Sequence, residues 1–482
     1  MERYNLVVIG AGSAGLLVAA GAAGLGARVA LVERDKMGGD CLNYGCVPSK
    51  ALLRSARAAA EPRRRRYGVG ATQPAPRWTE VAARVQSVID TIAPNDSVER
   101  FESLGVDVLL GRARLTSPHT VEVALHDGPT RSLEGKRIVL ATGSGPLVPP
   151  IPGLEDAGYL TNETVFSHRE QPGRLLVLGG GPIGVELGQA FARLGSQVTV
   201  VEMLPRLLPR EDADAAEVVV RSLEADGMRL GTGLQAVRVE AGPSGKRVTC
   251  RPSHDAGAPE QTFEADELLV AVGRRAHLRD LGLEQVGVAT EQGLVRVDAR
   301  LRTSVPSIYA CGDAVGPYQF THMAGQQARL VIRNALLPFK ARMNYRVVPW
   351  CTFTDPELAR VGLSEDEARQ QAVPYRVIKV PFDSIDRAVC DGETEGFLKI
   401  LTPPGRDVIL GATLVGAHAG ELLHELVLAM QARLGLRDIA NTFHIYPTLA
   451  EIFRRAGDEA RKAGFTPALQ KLFKAYLRWH RR

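Results

Sequence analysis

One local pattern occurs twice in this chain and restricts its fold more than any other feature. In "YNLVVIGAGSAGLLVAAGAAGLGARVALVE" a short apolar run, Asn5 to Ile9, leads into Gly10, Gly12 and Gly15 in G-x-G-x-x-G spacing. Leu16 to Leu25 continues with helical periodicity, and Arg28 to Val32 is a second apolar run ending in Glu33. In "RLLVLGGGPIGVELGQAFARLGSQVTVVE" the series repeats as Leu175 to Leu178, then Gly179, Gly181 and Gly184, then Glu202. Each acid stands 18 positions past the last glycine of its own copy. Strand, tight turn, helix, strand is the unit that cradles a dinucleotide. Its glycines turn the chain off the strand, let backbone approach a pyrophosphate and let the helix pack closely on the sheet. The helix start offers unpaired N–H groups to the phosphates, and the acid accepts from a ribose hydroxyl. One such motif could serve packing alone; two, each flanked by strands and an amphipathic helix, predict an α/β protein that binds two dinucleotides. An acid at the second strand end also repels a 2′-phosphate, so Glu202 favours NAD(H) over NADP(H), with Arg206 close by in sequence.

The chain is 482 residues long, enough for about three domains. Apolar residues at 45% and charged residues at 23% exclude disordered and fibrous classes, and a net charge of +5 does not suggest a nucleic-acid partner. Six scattered cysteines do not form the framework of a stapled secreted domain, which favours a reducing, cytoplasmic setting. The uncharged stretch Asn5 to Ala27 is punctuated by glycines and belongs to the first cradle, not to a signal peptide or membrane span.

Further motifs extend the pattern nearly end to end: "GGDCLNYGCVPSK" at Gly38 to Lys50, "ATGS" at Ala141 to Ser144, "TSVPSIYACGD" at Thr303 to Asp313, "FTDPELARVGLSEDEA" at Phe353 to Ala368 and "HIYPTLAE" at His444 to Glu451. Together with the two cradles they resemble the flavin-dependent pyridine nucleotide–disulfide oxidoreductases, among them glutathione reductase, dihydrolipoamide dehydrogenase and mercuric reductase. The resemblance implies a glutathione reductase-like fold with two Rossmann-like domains, for FAD and NAD, plus an α+β dimerisation domain. The implied layout is an FAD domain in two pieces (1–145 and 274–345), a NAD(P) domain (146–273), an interface domain (346–462) and a basic amphipathic tail (463–482). The resemblance further implies a homodimer whose active sites each borrow residues from the second copy. It assigns Glu33 to the FAD ribose, Asp313 to the flavin side chain, and Lys50 with Glu186 to the edge of the flavin ring. Ala141, Thr142, Gly143 and Gly273 join the cofactor-binding set on the same ground.

Cys41 and Cys46 are the only close cysteine pair. Zinc needs about four soft ligands and no second cluster exists, so no metal site is expected; a structural disulfide is out of place in a reducing compartment. A redox-active pair remains. The run "VPSKALLRSARAAA" predicts a helix after Cys46, and a helix start beside a lysine stabilises a thiolate. The resemblance makes Cys46 the thiol that faces the flavin and Cys41 the thiol that meets substrate. Cys250, Cys311, Cys351 and Cys390 are read as small buried residues.

The chain departs from the disulfide reductases before Pro447. Those enzymes place a histidine there, paired with a glutamate; here Glu451 is present, but the position holds Tyr446, with His444 two residues earlier. A phenol with a pKa of about 10 is a poor base at neutral pH, whereas a histidine near 6.5 is poised. Pro447 biases its neighbour towards extended geometry, which could turn His444 and Tyr446 the same way. Thr448 to Glu451 also spells a capping box for a helix. Tyrosine at this position resembles mercuric reductase, although the soft-ligand cysteine pair near that enzyme's C-terminus has no counterpart after Cys390. The expected activity is transfer of electrons from NADH through FAD to the Cys41–Cys46 disulfide and on to a disulfide, metal-ion or quinone acceptor. The alternatives are a dihydrolipoamide dehydrogenase with His444 as base, and a membrane- or partner-bound flavoprotein with mainly a binding role.

Two basic features stand apart. The arginine run Arg63 to Arg66 reads as a solvated turn. In "FTPALQKLFKAYLRWHRR" Leu469, Leu472, Phe473 and Tyr476 share one helical face and no acid follows Glu459, so this helix either packs on its own dimer or meets an anionic membrane or partner.

Overall fold

The computed structural model describes residues 2–63, 67, 76–168, 170–243, 245–255, 257–465 and 467–481. Of the arginine run, Arg63 closes a short 3-10 helix and is exposed; Arg64 to Arg66 lie outside the described residues. The chain divides into two compact units, one of residues 1–63, 71–205 and 229–344 and one of residues 64–70, 206–228 and 345–482.

In the first unit the two cradles are built alike. Strand Glu2–Ile9 pairs in parallel with Val29–Glu33 on one side and Arg131–Leu140 on the other. Val106–Ser117 lies beyond Val29–Glu33 and Ile308–Ala310 beyond Arg131–Leu140, and Thr120–Leu125 pairs antiparallel with both Val106–Ser117 and Arg131–Leu140. Strand Arg174–Leu178 likewise pairs in parallel with Gln197–Glu202 and with Glu267–Val270, and Arg229–Thr232 lies beyond Gln197–Glu202. The register is the same in both: Leu6 stands opposite Val29, and Leu175 opposite Val198. Parallel strands are covered on both faces, which explains why they read as unbroken apolar runs. Leu6, Val8, Leu31 and Val139 are fully buried in one core, Leu176, Leu268 and Val270 in another.

The second unit is built on a five-stranded antiparallel sheet in the order Pro349–Thr352, Glu357–Gly362, Gly411–Gly416, Phe397–Thr402, Arg376–Pro381. Helices His424–Ala432, Leu436–Asn441 and Glu451–Gly464 supply Leu426, Leu436 and Phe453 to its core. Residues 206–228, inside the span expected for the NAD(P) domain, group with this unit. The reason is polar: Ser222 Oγ donates to the Asp355 carbonyl at 2.6 Å, and the buried Lys399 ammonium lies 3.3 Å from Asp212 and 2.7 Å from Glu365.

Two expectations are corrected here. Thr448 to Glu451 forms no capping box: Ala450 precedes the helix without a side-chain cap, and Thr448 Oγ1 donates instead to the Ile445 carbonyl at 2.7 Å. Glu451 is the first helical residue, and Arg454, one turn on, donates to its carboxylate at 2.6 Å. The cysteines also differ among themselves. Cys250 and Cys311 are buried and Cys351 partly so, but Cys390 is exposed, because it ends the short helix Asp386–Cys390 on the surface.

Candidate functional site

Each cradle is closed by its own acid. Glu33 accepts from the N–H of Ala11 at 2.6 Å and of Asp35 at 2.8 Å; Glu202 accepts from Gly180 at 2.7 Å and Leu204 at 2.8 Å. Both carboxylates thus brace the turn between the first two glycines of the motif from the end of the neighbouring strand. The glycines divide by role. Gly15 and Gly184 permit close packing, since a Cβ there would lie 1.7 Å from the Gly10 carbonyl oxygen and 2.0 Å from that of Gly179. Gly10 and Gly179 have positive φ, +104° and +109°, which favours glycine in its own right.

Gly12 and Gly181 need glycine for neither reason. Their backbones are in the β region, and a Cβ would meet nothing within 4 Å at Gly181 and only Gly39 Cα, at 3.8 Å, at Gly12. What these positions leave clear is the approach to the starts of helices Ser13–Gly24 and Pro182–Leu194, neither of which has a side-chain cap. Uncapped N–H groups beneath an open approach fit the phosphates of a dinucleotide. Beside the first cradle, the Thr142 hydroxyl is buried with no hydrogen-bond partner among the described residues, and Ala141 N–H ties "ATGS" to the Ile9 carbonyl at 2.8 Å. Gly143 and Gly273 both take positive φ. Asp313 accepts from Ser144 Oγ at 2.6 Å, and Arg274 lies 3.7 Å from it.

Cys41 lies in the short helix Gly39–Asn43 and Cys46 is the first residue of helix Cys46–Ala60. Both are free thiols, and each shifts the acidity of the other. The fold treats them unequally. The Cys41 thiol chiefly, helped by Thr321 and the Lys50 charge, pushes Cys46 down to about 6 against partial desolvation, although the residue reaches the surface. The Cys46 neighbour and burial push Cys41 upward. In the reduced pair the charge therefore belongs on Cys46, with Cys41 as the neutral thiol. Thr321 Oγ1 lies 3.4 Å from Cys46 Sγ at the start of helix Thr321–Leu336. Lys50, one turn after Cys46, pairs with Glu186 at 2.9 Å; Glu186 is buried in helix Pro182–Leu194, just past its first turn. This ion pair joins the redox helix to the helix of the second cradle.

Sequence reasoning missed several neighbours. Asp40 accepts from Asn162 at 3.0 Å and pairs with Arg274 at 3.0 Å, while Arg274 Nε donates to Ser144 Oγ at 2.8 Å. Burial pushes the Asp40 carboxyl up, against the pull of Arg274. Neither Thr321 nor Asn162 sits in a local motif that would have flagged it; Arg274 directly follows Gly273, but nothing in the sequence pairs it with Asp40.

In the second unit His444 and Tyr446 have different surroundings. The His444 side chain is 5% exposed, with Nε2 at 2.9 Å from Glu425 and Nδ1 at 3.0 Å from the Thr442 carbonyl. Tyr446 is 66% exposed and its hydroxyl donates to Asp386 at 2.8 Å, a bond that raises the phenol pKa. Glu451 is buried and engaged with Arg454 and Arg455. No helix among the described residues is long and apolar enough to cross a membrane.

Comparison with known proteins places this geometry. The pyridine nucleotide-disulphide oxidoreductase family matches residues 4–328, and the dimerisation domain of the same family matches residues 348–456. The chain is 36% identical to the mitochondrial dihydrolipoyl dehydrogenase of Dictyostelium discoideum over 465 residues, covering 95% of this chain and 94% of that one. It is 34% identical to a Staphylococcus aureus mercuric reductase over 450 residues, covering 93% of this chain and 81% of the relative. A solved Cu(II) complex of the HOCl-induced flavoprotein disulfide reductase RclA from Escherichia coli superposes with a TM-score of 0.85 at 29% identity, covering 95% of this chain and 99% of that one. With two cradles, a reactive thiol pair and a dimerisation domain in family order, this chain belongs to the pyridine nucleotide-disulphide oxidoreductases and is an FAD-dependent enzyme of that family.

Proposed function

We propose that the enzyme takes electrons from NADH and delivers them through the Cys41–Cys46 pair to an acceptor held near Tyr446 of the second copy in a homodimer. Gly10, Gly12, Gly15, Glu33, Thr142 and Asp313 would hold FAD, and Gly179, Gly181, Gly184 and Glu202 the nicotinamide dinucleotide. Bound FAD supplies the two-electron exchange between a reduced nicotinamide and a disulfide. The preference for NADH rests on Glu202 and on Arg206, whose guanidinium is committed to the Leu208 and Pro209 carbonyls at 3.2 and 2.8 Å.

The residues account for the remaining steps. Reduction of the pair breaks the sulfur–sulfur bond with two electrons and, near neutral pH, one proton, leaving Cys46 as thiolate and Cys41 as thiol. With a disulfide acceptor, Cys41 loses its proton and attacks one acceptor sulfur, releasing the other as a thiolate. Cys46 then attacks Cys41, frees the second acceptor thiolate and restores the pair. Each released thiolate takes up a proton, and Tyr446 can donate one. Metal-ion and quinone acceptors draw the same two electrons from the same thiols.

One observation carries the direction of this reading: the residue exposed before Pro447 is a phenol, while His444 is enclosed with both ring nitrogens engaged. With its pKa raised above the usual value of about 10, fewer than about one in a thousand Tyr446 hydroxyls is ionised at pH 7, so it serves as donor rather than base. Oxidation of a dihydrolipoamide needs a base. The test is to assay the holoenzyme with NADH against a panel of disulfides, metal ions and quinones, and with dihydrolipoamide plus NAD. Acceptor reduction weakened by Tyr446→Phe is expected. Strong dihydrolipoamide oxidation that disappears in His444→Gln but survives Tyr446→Phe would overturn it.

A further inference from the structure

Helix Pro467–His480 follows the family's dimerisation domain, which ends at residue 456, and the function above makes no use of it. At about 100° per residue, Leu469, Leu472, Phe473, Tyr476, Leu477 and Trp479 fall within an arc of about 160°. Each is between 36% and 71% exposed. Among the described residues the ring contacts of this helix are local: Phe473 with Phe465 at 5.4 Å, Tyr476 with Trp479 at 6.3 Å and Tyr476 with His480 at 5.8 Å. Lys471, Lys474, Arg478 and Arg481 occupy the opposite side, and no acidic residue follows Glu459.

We propose that this helix binds the enzyme peripherally to an anionic lipid surface. Charge and shape select that occupant. An apolar ridge backed by a cationic face, whose long side chains can reach round to the headgroups, complements a plane of acyl chains beneath anionic headgroups. Trp479 and Tyr476 are ring types that settle at the headgroup level. Fourteen residues make a helix about 21 Å long, shorter than the roughly 30 Å hydrocarbon layer, so it lies in the interface instead of crossing it.

The test is sedimentation of the flavin-loaded enzyme with vesicles of phosphatidylcholine alone or of phosphatidylcholine with phosphatidylglycerol. Binding to the anionic vesicles only, weakened by added salt, is expected. Each basic residue near an anionic surface strengthens partitioning about fivefold, so Lys471→Ser with Lys474→Ser should weaken it about 25-fold. Leu472→Ser with Phe473→Ser should weaken it at least about tenfold, since the apolar contact is lost. Flavin content and size in solution should be unchanged in both variants. The proposal is overturned if the wild-type enzyme ignores anionic vesicles, binds both lipids alike, or binds equally well in both double variants. It is equally overturned if the apolar variant falls apart into smaller species, because the face would then be covered by a second copy.

Discussion

The unequal thiols give the sharpest test of the site. Removing the Cys41 thiol by Cys41→Ala deletes the largest contribution to the low pKa of Cys46, whereas Cys41→Ser keeps a hydroxyl donor in its place. With Cys46 at about 6, about 90% of it is thiolate at pH 7; an ordinary cysteine near 8.5 is only about 3% thiolate, a difference of roughly thirtyfold. Alkylation rates alone would understate this, because nucleophilicity falls with pKa by about tenfold over the same interval. The midpoint is the quantity to read. In the reduced protein the ultraviolet thiolate absorbance should be followed against pH, with Cys46→Ala as baseline. Cys250 and Cys311, both pushed up to about 12 by burial, stay silent across the range. A midpoint near 6 is expected in the wild type and in Cys41→Ser, rising towards 8.5 in Cys41→Ala. A wild-type midpoint at 8.5, or one that ignores Cys41→Ala, would refute the account of which sulfur carries the charge.

Other outcomes follow from the same geometry. Gly181→Ala should leave stability within about 0.5 kcal/mol, since the added methyl meets no neighbour, yet raise the KM for NADH about tenfold or more by blocking the backbone's approach to phosphate. Gly184→Ala should instead prevent folding, as judged by soluble yield and circular dichroism, because its methyl would sit 2.0 Å from the Gly179 carbonyl oxygen. Asp386→Asn removes the carboxylate that holds the Tyr446 proton; the phenol pKa falls towards 10, so the alkaline loss of acceptor reduction should begin at lower pH than in the wild type. Lys399→Met should cost about 3–5 kcal/mol in denaturant unfolding by stranding the Asp212, Asp214 and Glu365 carboxylates around a lost cation, and Asp212→Asn in that background should recover part of it.

The cradles were legible in the sequence because their construction is local. A glycine with positive φ, a helix start without a cap and an acid that reaches back 22 residues to an N–H of its own turn are settled within one βαβ unit, so the motif and its partner acid travel together. The thiol pair was legible for a similar reason, since helix Cys46–Ala60 starts at the cysteine itself. Contacts between distant segments were another matter. Lys50 meets Glu186 across 136 residues and Cys46 meets Thr321 across 275; here only the family pattern anticipated the first, and nothing anticipated the second. The tertiary structure alone decided that His444 turns to Glu425 while Tyr446 faces outward, that Glu451 answers arginines in place of capping a helix, and that residues 206–228 join the antiparallel unit. Backbone geometry follows from nearby residue types, whereas the partner of a side chain depends on which remote groups compete for it, and a linear pattern does not record that competition.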